Sequence, residues 1–396
     1  MNRSNRITRV TFSAFFFLIF SGLGGFFPLL SVYFREEVQL NGTQIGMIMS
    51  LGPVVMMLVQ PIWGMICDYT RRSNRVLTLA VGATGTLGLG YLLLDEYAWM
   101  LILAVVLAAF QAAIIPISDS IAMSYVHREG GDYGNLRLWG AVGFAVAAYC
   151  MGELSEAAGL TVIFYGFAGA MWLSVGVGLK LPREEVALNV DLRSGLRRLM
   201  RRPQFLLFLV TTFLVFGPVQ ANNFYFGLLI QDLGGSLAGV GLGFLLAAGT
   251  EAPFMKWAGG WIRRRGLIPV LLLAAVVSGS RWLFYAMEPS VVWVYISTVA
   301  QGLSVGLFIP AALQYVKEVA PREVQTTAIA LYTAVGTGLG NWFFTLVGGF
   351  VIDGFHIFTA YLLYGILSLI GAAILLWIRR LDVRKNPVPG QTGPSA

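Results

Sequence analysis

Five charged residues interrupt stretches of the chain that are otherwise apolar enough to cross a lipid bilayer. They are Asp119, Arg137, Glu251, Lys256 and Arg281. A charge at the centre of a bilayer costs at least ~2.5–3.5 kcal/mol, so such residues persist where they face a protein interior or a water-filled cavity. An arginine can bind carboxylates or hydroxyls with two parallel hydrogen bonds, and a buried carboxylate can load and release a proton. These residues are therefore the first candidates for binding a solute or carrying a proton.

The composition indicates a membrane protein. Of the 396 residues, 57% are hydrophobic and 12% are charged, and the mean hydropathy is +0.73, whereas a soluble domain is typically about 25% charged. A membrane-spanning helix needs ~20 apolar residues. The stretches that qualify are 10–34, 43–66, 76–94, 98–123, 135–153, 159–179, 205–230, 239–262, 266–286, 290–316, 326–351 and 357–378. The sequence thus predicts an all-α membrane protein with twelve transmembrane helices in two six-helix halves, an organisation that suggests a duplicated transporter.

The longest connection between these stretches divides the chain into its predicted parts. These are an N-terminal six-helix bundle (1–180), a cytoplasmic linker (181–204), a C-terminal six-helix bundle (205–380) and a disordered cytoplasmic tail (381–396). Within the linker, Leu192, Leu196 and Leu199 recur at helical spacing with arginines between them. This pattern predicts an amphipathic helix on the membrane surface.

The basic residues are distributed asymmetrically. Of the 27 Lys and Arg residues, only Arg35 falls in the connections on one side of the predicted membrane, and Arg137, Lys256 and Arg281 lie inside spans. All others lie on the opposite side, which the positive-inside rule identifies as cytoplasmic. The sequence therefore predicts a multi-pass protein of the cell inner membrane with both termini in the cytoplasm. The net charge of +7 is a topology signal and does not indicate a nucleic-acid partner.

Motifs for enzymatic chemistry are missing from the sequence. No cluster of His, Cys and carboxylates has metal-site spacing, and no G-x-x-x-x-G-K-[ST] phosphate loop occurs. The connections are too short for an attached catalytic domain. We therefore expect no enzyme activity, no cofactor and no metal. The expected partners are a small solute, protons and the lipid bilayer, with the monomer as the functional unit.

The connection after the second stretch carries the most specific motif. It contains Gly64, Asp68, Arg71 and Arg72 in the run GMICDYTRR. This run resembles the signature G-x-x-x-D-x-x-x-R-[RK] of the major facilitator superfamily. The resemblance implies twelve helices and alternating access. It also implies that Asp68 links to Arg72 or to a helix terminus of the other half, and so holds the cytoplasmic side shut in one state.

A narrower resemblance involves the first half. Asp119 is followed after eighteen residues by Arg137, which opens the segment R-x-W-G-x-x-G-F that ends at Phe144. This segment, together with Phe27 in the first stretch, resembles the phenylpropionate, nucleoside and lactose proton symporters. The resemblance implies that Asp119, Arg137, Phe144 and Phe27 contact the substrate. A structural ion pair that closes the hairpin between the fourth and fifth helices remains the alternative for Asp119 and Arg137.

The second half supplies polar residues within apolar surroundings. Gln220 and Asn223 in the seventh stretch and Gln301 in the tenth are candidates for solute contacts, although buried amides can equally bond neighbouring helices. The resemblance assigns proton coupling to Glu251 and Arg281. Lys256 lies nearer a helix end, where its long side chain can reach water.

One departure from the resemblance concerns coupling. The related symporters carry a histidine in the tenth helix, where this chain has Ser304. Their proton circuit therefore cannot be transferred intact. The sequence predicts a secondary active transporter, with proton-coupled uptake of a sugar, nucleoside or aromatic acid by alternating access. A drug or metabolite exporter on the same fold is the first alternative, and a non-transporting receptor or sensor is the second.

Overall fold

The computed structural model describes residues 3–182, 199, 202–321 and 324–385, and at residues 3, 4, 326 and 382–385 it describes the backbone only. The predicted amphipathic helix with Leu192 and Leu196 lies outside the described residues. The same is true of the predicted tail beyond residue 385. Residues 381–385, predicted to belong to that tail, instead continue the last helix.

The described residues form helices connected by short turns. The first six are α1 (Arg3–Glu36), α2 (Gly42–Thr70), α3 (Ser73–Leu89, extended by a 3-10 turn over Gly90–Leu93), α4 (Tyr97–Glu129), α5 (Tyr133–Ala158) and α6 (Val162–Gly178). The next six are α7 (Pro203–Asp232), α8 (Leu237–Arg265), α9 (Leu267–Ala286), α10 (Val291–Val319), α11 and α12 (Ile357–Lys385). Helix α11 consists of three consecutive segments, Gln325–Thr333, a π-helical Ala334–Gly340 and Asn341–Gly354.

The predicted all-α architecture is confirmed. Within the described ranges there is no strand, and eleven helices are long and apolar enough to cross a membrane. Helix α6 is equally apolar but has 17 residues. Because a helix rises 1.5 Å per residue, α6 is about 26 Å long, slightly less than the ~30 Å thickness of a bilayer core.

The ends of the helices follow from local side chains. Asn41 caps α2 by accepting a hydrogen bond from the Gln44 N–H, and the Gln44 side chain bonds back to the Asn41 N–H. Ser236 caps α8 through the Gly239 N–H at 3.0 Å, and Asp132 caps α5 through the Gly134 N–H at 2.9 Å. Such caps satisfy N–H groups that lack partners in the first helical turn.

The helices pack in two groups, α1–α6 and α7–α12. The main contacts between the groups involve three helix pairs: α5 with α8, α2 with α11, and α1 with α7. Alternate helices run in opposite directions, so α1 begins at the same side of the molecule at which α6 ends and α7 begins. We call this side the linker side and the opposite one the far side. The domain boundaries given above remain a prediction.

Glycines permit two of these helix pairs to approach closely on the far side. At the α2–α11 contact, a Cβ atom at Gly46 would lie 2.8 Å from Gly349 Cα and 3.0 Å from the Tyr225 hydroxyl. At the α5–α8 contact, a Cβ atom at Gly241 would collide with the backbone of Ala148 and Tyr149. In lipid, helices associate through such backbone proximity because apolar side chains gain little by leaving lipid for protein.

Polar contacts join the two groups at the same side. Arg35 of α1 forms an ion pair with Asp232 of α7. Gln231 Nε2 donates to Glu36 Oε1 at 2.7 Å, and Thr43 Oγ1 donates to Asp353 Oδ2 at 2.7 Å. Glu156 at the end of α5 accepts a hydrogen bond from the Ala238 N–H in the first turn of α8 at 2.9 Å. The two helix groups are thus closed against each other on the far side.

The close contact of α2 with α11 predicts that a methyl group added at Gly46 destabilises the protein. Gly46→Ala places a methyl group against the α11 backbone, and overpacking of this kind costs ~1–3 kcal/mol. We expect its apparent melting temperature in detergent to fall by several degrees, at roughly 2–4 °C per kcal/mol.

Gly52→Ala is the matched control on the same helix, because no atom lies within 4 Å of a Cβ at that position. Alanine is the better helix former, so Gly52→Ala should not lower the melting temperature. Equal losses for both variants would mean that α2 and α11 are not in close contact.

Candidate functional site

Asp119 and Arg137 lie together, as the spacing predicted. Arg137 Nε is 3.4 Å from Asp119 Oδ1, and the two side chains are 30% and 25% exposed, respectively. Asp119 Oδ1 has no aligned hydrogen bond among the described residues. The pair is therefore a partly open ion pair with spare hydrogen-bonding capacity, and its role in solute binding remains a prediction.

Two features of the surrounding helices position the Arg137 guanidinium. Its central carbon lies 4.0 Å from the centre of the Phe20 ring and 5.6 Å from that of Phe16, both on α1. A Cβ atom at Gly140 would be 2.9 Å from Arg137 Nη1, so glycine leaves room for the guanidinium along α5. A cation over an aromatic face is attracted by the negative potential of the ring. Arg137 is thus oriented by stacking, while its Nε faces Asp119 and its guanidinium also contacts the Tyr133 hydroxyl.

Aromatic rings bridge the two helix groups. Phe27 of α1 contacts Phe224 of α7 with ring centres 6.1 Å apart, and Phe144 of α5 contacts Phe244 of α8 at 5.7 Å. Both contacts are edge-on. Phe27 and Phe144 were predicted site residues, and the structure places them where the two groups meet. Phe244 was missed, because no motif distinguishes it from the other phenylalanines of the chain.

The amides of α7 have different environments. Asn222 is buried and accepts a hydrogen bond from the Tyr361 hydroxyl at 2.8 Å, so it serves the packing of α7 against α12. Gln220 and Asn223 are half-buried and have no hydrogen-bond partner within the part of the chain that the structure describes. Their amide groups are consequently available to a solute.

Arg281 is a buried cation without a carboxylate partner among the described residues. Its side chain is 3% exposed and lies 4.0 Å above the Trp282 ring and 5.4 Å above that of Tyr285. Nη1 donates to Gln301 Oε1, whereas Nε and Nη2 have no hydrogen-bond partner in the same part of the chain. Gln301, a predicted solute contact, is therefore engaged by Arg281 through its carbonyl oxygen.

Glu251 is half-buried at the middle of α8 and forms no ion pair with any described residue. Two glycines of α10 pack against its backbone: Cβ atoms at Gly302 and Gly306 would each lie 2.8 Å from a main-chain atom of Glu251. The structure does not pair Glu251 with Arg281. Lys256, five residues further along, is exposed and lies nine residues before α8 ends at Arg265.

The register of α5 and α8 relates Arg137 to Glu251. The helices run antiparallel, with Gly241 against Ala148 and Tyr149, and Phe244 against Phe144. Seven residues further toward the linker side, α5 reaches Arg137 and α8 reaches Glu251, about 10 Å below the phenylalanine pair. The two candidate residues therefore lie at the same level on facing helices.

The signature residues lie at the linker side. Gly64 is buried, while Asp68, Arg71 and Arg72 are exposed and form no ion pair within the described ranges. Arg71 ends α2 in the left-handed conformation (φ 50°), and its N–H bonds to the Cys67 carbonyl. The closing link implied by the motif is therefore not formed in this conformation.

Comparison with known proteins agrees with this architecture. Residues 10–363 match the profile of the MFS_1 like family. The chain belongs to this family. It is 48% identical over 375 residues to a maltose permease of Geobacillus stearothermophilus, covering 94% of this chain and 95% of the relative. It is 40% identical to the uncharacterized transporter YwbF of Bacillus subtilis (strain 168), covering 94% of both chains.

A solved structure shows the same fold. The crystal structure of the nucleoside transporter NupG has a TM-score of 0.83 at 16% identity, with coverage of 96% of this chain and 100% of that one. The predicted membership of the major facilitator superfamily and its all-α fold are thus confirmed. The protein is a membrane transporter on this fold and not an enzyme.

The environment of Arg281 predicts that replacing this residue abolishes transport without lowering the stability of the protein. Arg281→Met fills a similar volume and removes a buried charge that lacks a carboxylate among the described residues, and such replacements are often neutral or stabilising. We expect its melting temperature in detergent to equal or exceed that of the unmodified protein, while solute transport is lost.

Arg281→Lys is the matched control, because it keeps the charge but loses the planar stacking on Trp282. It should melt below Arg281→Met. A marked loss of stability in Arg281→Met would instead assign Arg281 to the fold.

Proposed function

We propose that the protein takes up an oligosaccharide of the maltose type together with protons. The observation that carries this proposal is the set of half-buried polar groups with spare hydrogen-bonding capacity: Asp119, Arg137, Gln220 and Asn223. The proposed site also contains aromatic rings, which lie where the two helix groups contact each other. Sugars need both elements, since their hydroxyls require hydrogen-bond partners and their apolar ring faces pack on aromatic side chains. The 48% identity to a protein named maltose permease supports the same class.

Each candidate residue has a proposed role in solute binding. Asp119 and Arg137 bind hydroxyl groups, and the solute replaces part of their mutual contact. Phe144 and Phe27 pack against the sugar rings. Gln220 and Asn223 bind from the second helix group, and Gln301 contributes its NH2 group because Arg281 occupies its carbonyl.

Glu251 is the proposed proton carrier. The absence of an ion-pair partner among the described residues lets its carboxylate exist in either protonation state, and its register places it level with Arg137. Arg281 supplies a fixed positive charge near the coupling machinery. Because Ser304 replaces the histidine of related symporters, coupling depends more strongly on Glu251 in this chain.

Alternating access explains the asymmetry of the contacts between the helix groups. We assign the linker side to the cytoplasm of a cell with this protein in its inner membrane, with the monomer as the transporting unit. The far-side contacts then belong to an inward-open state. In the outward-open state, Asp68, Arg71 and Arg72 close the linker side.

The first functional prediction concerns solute binding. Arg137→Ala removes hydrogen bonds to a charged group, each worth about 1.5–3 kcal/mol. We expect a roughly 10- to 150-fold weaker affinity for maltose, measured by solute counterflow in proteoliposomes over a concentration series. Uridine and phenylpropionate tested in parallel distinguish the three predicted solute classes.

Lys256→Gln is the control, since it removes an exposed charge and should leave affinity unchanged. Unaltered affinity in Arg137→Ala would assign the Asp119–Arg137 pair to the closure of the α4–α5 hairpin.

The second functional prediction concerns coupling. Glu251→Gln has a similar size but cannot titrate. Proteoliposomes containing it should show counterflow close to that of the unmodified protein but no accumulation driven by an inward proton gradient. The measurement compares radiolabelled maltose uptake with and without the gradient. Gradient-driven accumulation that survives in Glu251→Gln would show that another group carries the proton.

A further inference from the structure

A groove of about 450 Å³ lies between α1 and α6 at the linker side. It is lined by Val177 in the last turn of α6, by Lys180 two residues after α6 ends, and by five residues of α1: Arg6, Ile7, Val10, Thr11 and Ala14. None of these residues belongs to the proposed solute site, which is formed by other helices and by other faces of α1. The groove therefore needs a separate explanation.

The groove combines two kinds of surface. Arg6 and Lys180 are exposed and form no ion pair with any described residue, and no acidic side chain from the described ranges lines the groove. Along α1 the lining then becomes mainly apolar: Ile7 and Val10 are 60% and 62% exposed, and the Thr11 hydroxyl donates to the Ile7 carbonyl of its own helix at 3.0 Å. Arg6 and Ala14 are separated by about 12 Å along the helix axis. The basic end lies at the linker-side ends of the helices, and the apolar end extends toward the membrane interior.

We propose that this groove binds one anionic phospholipid. The phosphate lies between Arg6 and Lys180, and the beginning of an acyl chain follows Ile7, Val10 and Ala14 toward the middle of the bilayer. The uncompensated positive charge is complementary to the phosphate, and basic pockets between transmembrane helices are suited to such head groups. A soluble anion would leave the exposed apolar end uncovered, so the continuous basic and apolar lining favours a lipid.

The alternative occupant would be a segment of the chain itself. Residues 183–201 follow Lys180 and contain five arginines against three acidic residues. This excess of positive charge complements an anionic membrane surface and not a groove lined by Arg6 and Lys180. A phospholipid is therefore the better match in charge.

The test is a lipid titration of the purified full-length protein in detergent, followed by native mass spectrometry. The probe is phosphatidylglycerol, compared with phosphatidylcholine of the same acyl chains. We expect tighter binding of phosphatidylglycerol. The double variant Arg6→Gln with Lys180→Gln should weaken this binding roughly 30-fold, because each basic residue near a membrane surface contributes about a fivefold gain.

Two matched variants control for charge and for folding. Arg263→Gln with Arg264→Gln removes two basic residues from the end of α8 on the same side, and should leave phosphatidylglycerol binding unchanged. Arg6→Lys with Lys180→Arg keeps both charges and should retain binding. If the Arg6 and Lys180 double variant binds as the unmodified protein does, the groove is not the lipid site.

Two further arms separate a lipid from other occupants. Phosphatidylglycerol with eight-carbon chains should bind more weakly than the long-chain form, and inorganic phosphate should not compete. Competition by millimolar phosphate, or equal binding of the two chain lengths, would identify a simple anion site and overturn the proposal. Equal binding of phosphatidylcholine would also overturn it.

Discussion

The close contact of the two helix groups on the far side is the constraint on which the rest of this structure depends. Within a bilayer, apolar helices gain little by leaving lipid for protein, so association requires backbones that approach closely enough for dispersion and weak polar contacts. Gly46 and Gly349 provide this between α2 and α11, and Gly241 provides it between α5 and α8. Hydrogen-bonded pairs such as Glu36 with Gln231 fix the relative position of the helix ends. Among the described residues, the close backbone contacts between the groups lie toward the far side, so the groups can separate there without disturbing the packing inside either one.

Two arginines lie within the apolar helices, and their different surroundings determine which interactions each can make. Arg137 is partly exposed, is paired with Asp119 and stacks on Phe20, so it can exchange one partner while the ring keeps the guanidinium oriented, as the proposed solute binding requires. Arg281 is buried between Trp282 and Gln301 and cannot exchange partners without opening the second helix group. A group that binds and releases must be reachable, whereas a group that sets a constant potential benefits from burial. The two residues have the same chemistry, so their environments are what distinguish their proposed roles.

The sequence predicts the helices of this fold well, because a spanning helix depends on the local density of apolar residues. It also predicts the proximity of Asp119 and Arg137, since a short hairpin joins their helices. It cannot predict which face of α7 is buried, and so it could not separate Asn222, which bonds Tyr361, from its neighbour Asn223. That choice depends on the rotation of α7 against α12, 139 residues away in the chain. For the same reason the bond between Arg281 and Gln301, and the contact of Phe144 with Phe244, became visible only in three dimensions.

Helices α5 and α8 connect the candidate site to the far-side contact. On α5, Glu156 and Ala148 contact α8 on the far side, Phe144 lies at the middle and Arg137 follows toward the linker side. Helix α8 runs antiparallel to α5. Its far-side contacts come first, Phe244 lies at the middle and Glu251 follows toward the linker side. A helix transmits displacement along its length because its hydrogen bonds make it stiff. A solute that draws Arg137 toward the second helix group would therefore tilt α5 against α8 and change the angle at which their far-side ends meet. The same two helices thus carry both the proposed solute-binding groups and the far-side contact that the proposed alternating access would open, which provides a direct physical route from binding to a change of access.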